Sequence, residues 1–400
     1  MNIKLTVFGI ALLFTGNLVA GESLFGSGDN SIGFLHLPYS AAGAARSYEI
    51  ANYDSLHMNF QNYSLWSQIS NTTYTIMGGY AGAYGDDGVK SNYYSDLANF
   101  QGGFLGIPIL RKKLAIGLGI QPVSNIDRSY TDTFNEDLNE TLYIRGGISK
   151  ALINVSYNYK NRYGIGLGYE YVFGKIADNY ILEDPDVSVT RLSIDYEYRF
   201  YGHGMVISAF ARPVQNLTLG LTVRPPLNTK LRIQAFTTSD NVNQSKIRDI
   251  TFPGQYNLGL EYRLNHRNHI GLDLLYQDWT NGYKINNKNY SKDQDKFYRF
   301  GIGYERTQSE KRFTKLREEI DYRAGLFYGN LNQLSNGSSV REYGVSFGFS
   351  LPIQRFVSEI DLSCLIGKRG NLDKNSYEET FFSLGFTISA SEIWFINIDD

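Results

Sequence analysis

The sequence predicts an all-β protein, a transmembrane antiparallel β-barrel of about 14 strands. Three observations predict it. Segments of ten or more residues alternate apolar with small or polar residues, the period of two that places one kind of side chain on each face of a strand. These segments exceed the roughly 5–6 residues of an average strand in a soluble protein. The composition, with 31 Tyr, 24 Phe and 40 Gly in 400 residues, supplies an interfacial aromatic girdle and many tight contacts.

The elements follow in order. Residues 1–21 read as a secretory signal, with Lys4 in the charged region, Leu5 to Thr15 as the apolar stretch and small residues at Ala20 and Gly21. In an exported chain the single Cys364 excludes an intramolecular disulfide framework. Residues 22–70 lack periodicity and are rich in Gly, Ser, Ala and Asn, yet Phe25, Phe34, Leu35, Leu37 and Tyr39 require burial. Residues 71–400 form the barrel. The predicted strands are 72–84, 97–109, 112–132, 141–159, 162–180, 187–214, 216–236, 250–264, 268–281, 295–306, 319–332, 339–351, 356–369 and 378–390. The segment 187–214 reads as one long bent strand or as two joined by a hairpin at Gly202-His203-Gly204. Short connections such as RKK, YKNR and PIQR alternate with long polar ones, as periplasmic turns alternate with outer loops. The long exception, TQSEKRFTKLREE, has room for a short helix.

Facing follows from the alternation. Ile165, Leu167, Tyr169, Tyr171 and Phe173 share one face, and Gly164, Gly166, Gly168 and Glu170 the other. The same rule sets Leu192, Ile194, Tyr196, Tyr198 and Phe200 toward lipid, and Asp195, Glu197 and Arg199 inward with Asp273, Asp321 and Arg323. The inward charges read as paired groups bracing the wall. In FLGIPILRKKLAIGLGIQPVSNI, a hairpin crosses the membrane with Leu114, Ile116, Leu118 and Ile120 toward lipid and Ala115, Gly117 and Gly119 inward. Pro122 interrupts its second strand. Proline removes a ladder hydrogen bond and is excluded from central strands, so it marks a bulge, a strand end or a kink that opens the wall.

Several stretches together resemble the FadL-type family of long-chain fatty acid and hydrophobic compound transporters, in a shorter Bacteroidetes-like form. They are IPILRKKLAIGLGIQPVSNI, FPGQYNLGLEYRLNHRNHIGLDLLYQDW, YGVSFGFSLPI, CLIGKRGNLDKNSYEETFFSLGFTIS and the tail EIWFINIDD. The resemblance implies a barrel whose lumen holds an N-terminal hatch, here residues 22–70. It implies passive uptake of hydrophobic small molecules across the bacterial outer membrane. Lateral release would occur through a kink of the third strand, here Pro122, Val123, Ser124 and Asn125. The family's Asn-Pro-Ala motif at the hatch end falls on Asn62, Tyr63 and Ser64, of which only the Asn is kept. The expected partners are a hydrophobic ligand and outer-membrane lipid.

Other chemistries find little support. A net charge of −2 displays no basic face for nucleic acid. Mean hydropathy of −0.30 is too polar for a helical membrane bundle. Gly344 to Gly348 match G-x-S-x-G, but that motif needs a strand-to-helix turn and here lies mid-strand, so no catalytic residue and no enzyme activity is expected. The histidines at 36, 57, 203, 266 and 269 show no ligand spacing, and Asp86-Asp87 alone make a poor Ca²⁺ site, so neither metal nor cofactor is expected. Two other functions stay open at this stage: a partner-binding barrel of a protein secretion system, and a general porin.

Overall fold

The structure is a computed structural model. It describes residues 18–20, 23, 25, 32–53, 56–88, 92–135, 138–183, 191–237, 244–280, 284–285, 288–289, 294–309, 315–354 and 357–392. Most of the expected signal segment, residues 1–17, lies outside the described residues, as does the aromatic tail.

Fourteen antiparallel strands close into a barrel. The first six are Thr72–Asp86, Asn92–Leu110, Leu114–Asn135, Leu138–Tyr159, Tyr163–Glu183 and Arg191–Val214. The sixth is therefore one continuous strand, and Gly202-His203-Gly204 makes no hairpin. The seventh runs as Leu217–Arg224 and Leu227–Thr237, the eighth as Gln244–Phe252 and Gln255–Arg263. Pro225-Pro226 and Pro253-Gly254 cause these two breaks, since proline cannot donate to the ladder. The remaining six are Asn268–Asp278, Lys296–Arg306, Asp321–Ser335, Ser338–Gln354, Ser358–Asn371 and Tyr377–Glu392. The last pairs with the first from Glu392↔Thr72 to Glu378↔Asp86, leaving no open edge there. The long connection before the eleventh strand carries a short 3₁₀ helix, Leu316–Glu318.

The outward face is the lipid-facing one. Ile165, Leu167, Tyr169 and Tyr171 are exposed, as are Val345, Phe347, Leu384 and Phe386 on the opposite wall. A continuous exposed belt of this kind has no soluble counterpart, where large apolar patches are covered. The chain is an outer-membrane barrel. In the hairpin around RKK, Leu118 and Ile120 point out while Ala115 is fully buried inside.

One facing is the reverse of the expectation. In the sixth strand Phe200, Val206 and Phe210 are buried inward, so Tyr196 and Tyr198 share their face. Phe200 joins an interior cluster with Leu231, Ile250 and Phe252, and Tyr198 packs against it. Asp195, Glu197 and Arg199 therefore point outward. The reason is that the outer third of this wall rises beyond hydrocarbon. There polar surroundings of water and lipid head groups replace hydrocarbon, and the apolar face is the one toward the lumen. Asp273, Asp321 and Arg323 are inward and buried, in line with the alternation.

The described residues of 32–70 lie inside the barrel, and those from Ser40 to Ile69 are almost wholly buried. A short helix, Ala41–Arg46, is capped by Ser40, whose hydroxyl accepts from the Gly43 amide, and ends at Ser47 in the left-handed region. Its sequence AAGAAR presents almost no side-chain bulk, so it lies flat against strands eleven to fourteen. A 3₁₀ helix, Tyr63–Gln68, packs on strands three to six toward the short-turn, periplasmic end.

Candidate functional site

Inward glycines make the seat of this plug. A Cβ on Gly117 would stand 2.1 Å from the Trp66 ring, and one on Gly271 2.3 Å from Tyr48. On Gly301 and Gly303 it would meet the carbonyl oxygens of Ser47 and Arg46 at 1.9 and 1.7 Å. Ser346, the centre of the G-x-S-x-G pattern, belongs to the same seat. Its hydroxyl lies 2.8 Å from the Ala45 carbonyl and 2.7 Å from the Ser47 hydroxyl.

Buried polar groups fasten the plug to the wall. Arg46 pairs with Glu305 at 2.7 Å and also donates to Asn52. Asp273 accepts the amides of Glu49 at 2.6 Å and Ile50 at 3.0 Å. Glu49 in turn accepts from the Ser40 and Phe60 amides, and burial holds its carboxyl above the ordinary range. His57 lies 3.0 Å from Glu359 and 2.5 Å from Asp361, a triad with metal-like spacing. Asp361 also accepts from Arg323 at 3.0 Å, and this fixed guanidinium makes the cluster an ion-pair network. Sequence spacing missed it because the partners lie about 300 residues apart. Asp86 uses its carboxylate to accept the Gly88 amide in a loop turn.

The predicted hatch-end residues are all buried. Asn62 caps the 3₁₀ helix, accepting from the Ser64 amide at 3.1 Å, while its own amide reaches the carbonyls of Ile50 and Ala209, both at 3.0 Å. The Tyr63 hydroxyl accepts from Arg224 at 3.0 Å. The Ser64 backbone crosses Gly166 of the wall.

The four predicted kink residues sit where the wall's pairing changes. Strands two and three pair from Leu110↔Leu114 up to Gly103↔Ile120 and no further. Beyond that level the third strand takes a plug segment as its neighbour, with Phe34↔Asn125 and Leu35↔Ser124. The His36 amide donates to the Val123 carbonyl at 2.9 Å, and the Ser124 hydroxyl to the Ile32 carbonyl at 2.6 Å. Toward the fourth strand the register shifts between Pro122 and Ser124, so Val123 is an extra, bulged residue. Apart from Leu18–Ala20, which run parallel to Tyr94–Asp96, the second strand here pairs among the described residues with the first alone.

A chamber of about 110 Å³ opens inside this interruption. Its apolar lining includes Leu35, Pro122, Val123, Val172, Phe252 and Trp279. Its polar floor is Glu170, which takes Lys150 at 3.0 Å and Arg224 at 3.1 Å. Gln121, Trp279 and Arg224 line the chamber, and both polar atoms of the Gln121 amide, Nε1 of Trp279 and one Nη of Arg224 are buried without a hydrogen-bond partner among the described residues. A second cavity of about 80 Å³ lies across Leu35 to Leu37, beside the ion pairs of Arg299 and Arg369 with Glu342.

The family model described as BamG matches residues 23–398. The chain belongs to the BamG family. Solved structures show that this BamG-family chain has the fold of the FadL-type transporters. A Pseudomonas aeruginosa FadL homologue aligns with TM-score 0.62 and 11% identity, covering 90% of this chain and 99% of that one. The Pseudomonas putida toluene transporter TodX gives 0.58 and 13%, covering 89% and 99%. The Ralstonia pickettii toluene transporter TbuX gives 0.52 and 12%, covering 88% and 98%. Comparison with curated proteins finds no match.

Proposed function

We propose that this protein admits hydrophobic small molecules across the outer membrane and releases them sideways, through the interruption between strands two and three. The observation that carries the reading is the apolar chamber lying against the Pro122–Asn125 bulge, where pairing between strands two and three has ended and the plug segment Phe34–Leu35 takes its place beside the third strand. Exposing an apolar solute to a wet pore costs roughly 25 cal/mol per Å², and a route from chamber to hydrocarbon avoids that exposure. A lining that is apolar on one side and carries the Lys150–Glu170–Arg224 ion pairs on the other favours an amphiphile, a long-chain fatty acid or similar molecule with a polar head, over a bare hydrocarbon. A general porin fits poorly, because the lumen is packed with the buried plug.

The test is a reversible staple. Leu35 and Ser124 are opposite one another across the plug–wall pair. Leu35→Cys with Ser124→Cys, in a Cys364→Ser background, should cross-link on oxidation and pin the plug in the gap. The oxidised form should lose most uptake of a fluorescent fatty acid into proteoliposomes, and reductant should restore it. Equal rates in both states would rule out this exit and leave a partner-binding barrel as the better reading.

A further inference from the structure

We infer that the outward face of strands five to seven binds the phosphorylated head of an outer-leaflet glycolipid, at a row of cations formed by Lys175, Arg199 and Arg232. These three residues occupy adjacent positions on neighbouring strands, with Lys175↔Arg199 and Arg199↔Arg232 in direct register. Like charges placed opposite one another destabilise a sheet, so such a row requires a counter-charge. The protein provides one, Glu197. It pairs with Lys175 and accepts from Arg199 at 2.8 Å. Arg232 receives nothing from it, and the Arg232 Nε–H is buried without an acceptor among the described residues. Next to the row, Lys230 stands opposite Asp249 on the same face, so those two charges balance and Lys175, Arg199 and Arg232 against Glu197 leave an excess of positive charge, the two arginines presenting the planar donors that suit phosphate.

The height of the row identifies what meets it. Along the fifth strand the outward residues run from Tyr163 through Tyr171 to Phe173 before Lys175. At roughly 3.3 Å per residue and a tilt of about 40°, that apolar stretch rises about 25 Å, the thickness of a barrel's lipid-facing band. Phe173 and Tyr201 are opposite one another one step below the cations, so the aromatic border of the membrane directly underlies them. The side chains of Lys175 and Arg199 are half exposed, and a shallow groove runs between them, Arg232 and the aromatic border. A phosphate attached to acyl chains in the outer leaflet lies at this level, with its chains against Tyr171 and Phe173 below. A free anion would gain nothing from those rings.

The test uses the full chain in detergent or nanodiscs, with native mass spectrometry reading bound lipid. The probes are bis-phosphorylated lipid A, the same lipid dephosphorylated, and inorganic phosphate. The intact protein should retain the phosphorylated lipid about tenfold or more over the dephosphorylated one, and Arg199→Gln with Arg232→Gln should abolish that preference. Heat-modifiable migration on gels reports whether the double variant is folded. If it is not, the two lipids on the unaltered protein, compared at low and high salt, decide the matter. Equal retention of both lipids, a folded double variant that keeps the preference, or displacement by millimolar inorganic phosphate would each overturn the assignment.

Discussion

At Gly303 the wall approaches the plug so closely that a methyl group would stand 1.7 Å from the Arg46 carbonyl, a backbone atom that cannot swing aside. Gly303→Ala should therefore lift the helix Ala41–Arg46 from its seat. The expected loss is about 1–3 kcal/mol of stability, the usual cost of overpacking. It is read as a lower midpoint for heat-modifiable gel migration, with faster proteolysis of the plug; an unchanged midpoint would mean the plug does not rest there. His57 makes a second prediction. Its ring lies between Glu359 and Asp361 at the plug–wall boundary. Removing one partner from a buried ionic group typically costs about 3–5 kcal/mol. His57→Leu should approach that loss in urea unfolding, softened by the Arg323 that Asp361 keeps. The glycines of these strands were visible in the sequence as an inward row. Nothing there said that they marked a plug's path, because the contact partners lie hundreds of residues away.

The third strand shows how one element can change neighbour along its length. Below Ile120 it pairs with the second strand, and above it with Phe34–Leu35 of the plug. Gly33 makes that exchange possible: its φ of +88° and the Asn125 carbonyl 2.2 Å from a would-be Cβ exclude any side chain. Gly33→Ala should prise the plug segment from the gap and raise the leak of a hydrophobic dye into proteoliposomes several-fold, with the barrel still folded. No change in leak would show that this segment does not close the wall. Pro122 was legible as an irregularity, since proline has no N–H to donate to a ladder. That it meets a plug strand was not legible, since residues 32–37 carry no strand periodicity of their own.

Across the whole molecule, the two short helices of the plug fill the lumen toward the periplasmic end, while Ile32 and Tyr39 of the plug join wall side chains such as Phe200, Leu231 and Ile250 in an apolar cluster beyond them. Such a lumen should give no steady porin-sized conductance in planar bilayers. A large constant current from the intact chain would refute the packed interior. The sequence by itself determined the barrel, its strand number and the lipid-facing stripe, because period-two alternation is a local property that the pleat converts directly into two faces. It misjudged the facing of Glu197 and Arg199, since alternation separates two faces without saying which is outside. Only the tertiary structure decided that, along with the plug's seat, the buried ion pairs and the chamber. Each of these depends on which distant strands meet at a given height, and closure of the barrel sets that.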